Sequence, residues 1–158
     1  MNWTSWAIWS FVATVVLISL LAGSQNYGIS RMNLPFLLGT VFTPNRDKAK
    51  LIGFFIHFIN GWIFSLVYVV AFESIKYVSW WFGALAGLVH AVFVLTVIMP
   101  ILPVFHPRMA SEFQDPTVVR QLEPPGFWGL HYGIRTPVIL IVTHVIFGVI
   151  LGYFYGLS

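Results

Sequence analysis

The sequence predicts an all-α membrane protein, a four-transmembrane-helix bundle forming one domain over residues 1–158. Three observations predict it. The chain is 58% hydrophobic and only 8% charged, where a soluble domain carries about 25% charged residues. Four apolar stretches approach the ~20 residues that cross ~30 Å of hydrocarbon. The basic residues gather in two of the connecting loops instead of scattering.

The first span is expected over residues 3–22. It is read as a span and not a signal peptide because it has no basic start and its apolar stretch is long. The loop over 23–50 contains Leu34–Phe42, which is apolar but too short to cross, as suits a re-entrant or interfacial segment. Thr43 and Pro44 then fit the cap and first position of the next helix. The second span covers 51–72 and ends near Glu73, with Lys76 as an expected exposed partner. The third covers 80–102 and the fourth 137–155. Between them, loop 103–136 holds five prolines, so it cannot be one long helix. Its aromatic residues argue against disorder. It is expected to fold onto the membrane surface, to cap the bundle or to bind a soluble partner, with a plain ordered loop as the alternative.

Orientation follows from charge. Arg31, Arg46, Lys48, Lys50, Arg108, Arg120 and Arg135 lie in the two long loops, and only Lys76 lies in the short turn. Basic loops stay on the cytoplasmic side, so both termini are expected outside. Trp3, Trp6, Tyr77, Trp80, Trp81, Tyr153 and Tyr155 would then form an outer interfacial belt.

Small residues recur at four-residue spacing, which places them on one helix face. Gly53, Gly61 and Ser65 form such a stripe in span two; Gly83, Gly87 and Ala91 in span three; Gly148, Gly152 and Gly156 in span four. These GxxxG-type stripes predict close helix packing, within the chain or against another chain. The run from His57 to Tyr68 also aligns with that from His144 to Tyr155, sharing histidine, isoleucine, glycine and tyrosine. Two parallel copies of a two-span unit would produce this; chance likeness among apolar helices is the alternative.

His57, His90 and His144 all fall inside spans. An ionisable side chain at that depth costs roughly 2.5 kcal/mol or more unless it is neutral and partnered. From the helix rise, His57 and His144 lie ~10 Å inside the cytoplasmic end and His90 near mid-membrane, so the three can meet. Asn60 and Thr143 are polar neighbours able to orient a ring. Three functions fit: axial ligation of a haem b with Gly61 and Gly148 leaving room, a transition-metal site of imidazoles, or a proton relay. The structural alternative is that each neutral histidine bonds to a neighbouring helix and fixes packing. No carboxylate lies deep in a span, which weakens ion transport.

Several classes are excluded. With no cysteine there is no disulfide, thiolate site or cysteine nucleophile. The net charge of +3 lies in loops, which points to lipid and topology and not to nucleic acid. No P-loop, GxSxG or HExxH is present, so the sequence does not point to an enzyme. His106, Arg108, Glu112 and Asp115 cluster in the second loop. They could meet a phosphate or lipid headgroup, or serve only as helix caps and local ion pairs.

The run Leu34–Thr40, the segment Gly53–Tyr68, the turn His106–Met109 and the closing pattern His144–Tyr155 resemble small bacterial four-span membrane proteins of no known activity. The resemblance implies a bacterial inner-membrane origin and carries over no functional residue. The expected role is an accessory or scaffold subunit, docked to other membrane subunits or to a second copy through its glycine stripes. An intramembrane haem or metal carrier using His57, His90 and His144 is the alternative, and a small transporter the third.

Overall fold

The computed structural model describes residues 1–111 and 116–157. The described chain is helical: α1 (Trp3–Asn26), α2 (Leu34–Thr40), α3 (Arg46–Ile75), α4 (Trp80–Phe93), α5 (Met99–Phe105) and α6 (Thr136–Phe154). A π-helical turn, Val94–Ile98, joins α4 to α5. Four helices are long and apolar enough to cross a membrane: Trp3–Asn26, Arg46–Ile75, Trp80–Phe105 and Thr136–Leu157.

Local chemistry sets their ends. Asn2, Asn33, Asn45 and Ser79 each accept a hydrogen bond from a backbone N–H in the first turn of α1, α2, α3 and α4. The cap of α3 is therefore Asn45 and not Thr43, whose hydroxyl instead accepts from the Asn45 N–H. Polar and basic residues extend α1 and α3 past the predicted apolar limits, because backbone bonding continues after hydrophobicity fades. α3 stops at Lys76, whose left-handed backbone (φ 54°) returns its N–H to the Glu73 and Phe72 carbonyls. The third span continues past Leu102 to Phe105 despite Pro100 and Pro103. Pro100 follows two residues after the π-helical turn of a continuous helix, where the widened ladder accommodates its missing N–H.

Packing is uneven. α6 lies against α4 and α1, α1 also lies against α3, and α2 lies along α3. Close backbone approach is confined mainly to these pairs; α3 and α4, though joined by a short turn, keep their backbones apart and meet through side chains such as Phe72 and Phe82. The glycines set the close pairs. A Cβ on Gly83 or Gly87 would fall on the carbonyls of Gly148 or His144, and one on Gly148 or Gly152 on those of Gly83 or Ser79. Gly61 receives the Thr14 side chain of α1, and Gly53 the Pro35 carbonyl of α2. The stripes are thus filled by the chain itself.

At the end holding both termini, Glu73 pairs with the Met1 ammonium at 3.3 Å and accepts from the Tyr155 hydroxyl at 2.5 Å. These, and not Lys76, are its partners. Tyr155 is buried there and Trp6 turns inward, its indole N–H donating to Ser65 Oγ at 2.8 Å. Both leave the expected belt, whereas Trp3, Tyr77, Trp80, Trp81 and Tyr153 are exposed at that end.

At the other end α2 and the second loop form a cap. Ala110 N–H donates to the Leu122 carbonyl and Leu122 N–H to the Arg108 carbonyl, at 2.9 and 3.0 Å. Arg31 N–H donates to the Tyr132 carbonyl at 3.0 Å, and its guanidinium donates to the His131 carbonyl and pairs with Glu123. Ser30 and Thr136 share a buried hydrogen bond of 2.8 Å.

Candidate functional site

α3, α4 and α6 bring His57, His90 and His144 to one cavity of about 190 Å³. The His90 and His144 rings meet edge to face, centroids 4.8 Å apart. Phe64 stacks on His90 at 4.9 Å. Nδ1 of His90 lies 3.0 Å from the Tyr68 hydroxyl. Nδ1–H of His144 donates to the Leu140 carbonyl at 2.8 Å, which leaves Nε2 as its acceptor side. His57 is only 7% exposed, and its Nδ1 is buried with no hydrogen-bond partner among the described residues. Asn60 lines the cavity as expected. Thr143 does not orient a ring; its hydroxyl donates back to the Leu140 carbonyl at 3.0 Å.

Tyr68 and Phe64 were not singled out as site residues. Spacing carried the signal: Phe64 and Tyr68 follow His57 by seven and eleven residues, two and three helical turns along one face.

Two further spaces adjoin the cavity. A vestibule of about 450 Å³ opens between α1, α2 and α3, with Lys50 at its lip and His57 at its inner wall. A groove of about 490 Å³ runs between α3 and α4, apolar apart from Tyr68 and His90. His57 lines both vestibule and cavity; Phe64 and His90 line both cavity and groove.

The residues do not fit a haem or a three-histidine metal site. Ligand pockets run ~300–1,000 Å³, and this cavity is below that range. Of the two glycines expected to make room for a macrocycle, Gly61 lines the cavity but has Thr14 where a Cβ would stand, and Gly148 packs on α4. Among the described residues no group of three or more His, Cys, Asp or Glu is arranged to hold a metal.

The second predicted cluster serves the cap. His106 is 1% exposed. Its Nε2–H donates to the Leu37 carbonyl at 2.9 Å, with Thr40 Oγ1 at 3.2 Å, and its Nδ1 accepts from the Arg108 N–H at 3.1 Å. Arg108 Nη1 donates to the carbonyls of Thr40 and Val41 at 2.5 and 3.1 Å. Together they close the C-terminal end of α2, where orphan carbonyls and the helix dipole favour a cation. Burial pushes the His106 imidazole below its ordinary pKa, opposed by the Leu37 bond. Burial also raises the Tyr132 hydroxyl; that hydroxyl donates to the Glu123 carbonyl at 2.5 Å. Glu112 and Asp115 lie outside the described residues. No protein-family model matches this chain, and no curated protein or solved structure does either.

Proposed function

We propose that this chain is an integral membrane protein that holds a small hydrogen-bonding ligand between His57, His90 and His144. One observation carries the reading: Nδ1 of His57 is buried, lacks a partner among the described residues and belongs to a residue lining the cavity. An unsatisfied buried polar group costs about 1–3 kcal/mol, and no water in the bilayer core repays it. A ligand offering a donor or acceptor recovers that energy.

The same proposal sets both long loops in the cytoplasm and both termini outside a bacterial inner membrane, on the basic-residue bias. A two-span duplication is consistent with α1–α3 and α4–α6 each closing across glycine. A second reading, docking to a larger membrane assembly, no longer has the glycine stripes as its basis. It rests instead on apolar side chains standing out from the cap, Val118 at 90% and Ile134 at 83% exposed.

Native mass spectrometry of the chain, released gently from its own membrane, tests the two. A non-protein mass present in the wild type and absent in His57→Leu supports the ligand site. A stable complex with other subunits and no small molecule supports the docking role and counts against the first reading.

A further inference from the structure

The character of the cavity and its neighbours narrows the ligand. We infer that it is a lipid-soluble molecule with an uncharged, ring-sized, hydrogen-bonding head and one apolar tail, the chemistry of a quinone. This rests on the reading of the histidine cavity as a ligand site.

Size comes first. A cavity near 150 Å³ accepts one benzene ring, so about 190 Å³ takes one substituted ring and little more. Charge comes second. Among the described residues the cavity wall holds no Lys, Arg, Asp or Glu, so none of them supplies a fixed charge to balance an ionic head, whose burial in hydrocarbon is costly. Hydrogen bonding comes third. His57 is nine-tenths buried and its Nδ1 is unpartnered among the described residues, and Asn60 adds an amide at the same wall. A ring bearing carbonyls or hydroxyls meets such groups.

The tail follows from the route. The backbones of α3 and α4 stand apart, and the groove between them is apolar up to Tyr68 and His90. From Phe82 to His90 it follows about 12 Å of helix. The stacked Phe64 and His90 line both groove and cavity, so the two spaces meet at this pair. A head passing this threshold leaves its tail in the groove. The vestibule on the other side of His57 carries Lys50 and suits an anionic head instead, which gives the competing outcome.

The test measures binding of three probes to the full chain in detergent micelles: a decyl-substituted benzoquinone, decyl phosphate and decane. Binding of the benzoquinone alone is expected, weakened at least about tenfold by His57→Leu in the cavity and by Leu85→Trp in the groove. Leu85 is half exposed, so its replacement leaves the core packed; circular dichroism checks both variants. Equal binding of decane reduces the site to an apolar groove and overturns the proposal. Decyl phosphate binding that is lost in Lys50→Gln places the ligand in the vestibule and also overturns it. A native His57-dependent mass without benzoquinone binding overturns the quinone class and leaves the histidine site standing. Benzoquinone binding indifferent to His57→Leu overturns both.

Discussion

At the residue scale the buried polar groups differ in what their loss should cost. His57 has an unpartnered Nδ1, so His57→Leu removes a penalty along with a side chain. The ligand-free chain should be no less stable, or about 1 kcal/mol more stable. Tyr68→Phe does the reverse by stripping the partner from His90 Nδ1, and should cost about 1–3 kcal/mol. Thermal unfolding in detergent separates them, and a large loss from His57→Leu would show that Nδ1 has a partner after all. His106 gives a pH dependence. Its pKa is lowered by burial in the folded chain, while the unfolded chain titrates near ~6.5. Both states are neutral above that value and the latch on α2 is intact. Below it the unfolded state takes up the proton first, so stability falls as pH drops toward the folded pKa. The unfolding midpoint should therefore fall between pH 7.5 and 5 by more in the wild type than in His106→Gln; equal falls would refute the assignment.

At the element scale the glycines show how far spacing can be read. The stripes in spans two, three and four were legible from four-residue repeats. Their partners were not, because period fixes a face and not what lies against it. Gly83 and Gly87 meet α6, Gly61 meets α1, and Gly53 meets the short α2. Gly148→Leu should accordingly destabilise the chain itself, by about 1–3 kcal/mol or more, instead of only releasing a partner. Gly23 is the contrast: nothing lies within 4 Å of a Cβ there. Gly23→Ala should stabilise α1 by about 0.5–1 kcal/mol. Matched changes at the two positions would mean the α4–α6 contact is looser than described. The π-helical turn before Pro100 was not legible, since hydropathy passes through it without a break. Nor was Asn45 as the cap of α3, because Thr43-Pro44 offered an equally good local signal two residues earlier.

At the scale of the whole molecule, the number and composition of the long helices could be read from hydrophobicity alone, because lipid demands long apolar segments. The meeting of His57, His90 and His144 could be anticipated from depth, but the size of the space between them could not, since that depends on how Thr14 and α4 fill the glycines. Which side each end occupies is the remaining question of scale, and basic residues bear on it. Arg31, Arg46, Lys48, Lys50, Arg108, Arg120 and Arg135 all belong to the end where α2 and the second loop form the cap, and Lys76 alone lies at the other. If translocation follows that bias, the cap faces the cytoplasm. The chain has no cysteine, so single cysteines report cleanly. Lys48 and Val118 are exposed at the cap end and Leu157 at the other. In bacterial spheroplasts a membrane-impermeant maleimide should label Leu157→Cys at once, and Lys48→Cys and Val118→Cys only after permeabilisation. The reverse pattern would invert the molecule and put the Lys50 vestibule outside. Labelling of all three in intact spheroplasts would mean that the helices do not span.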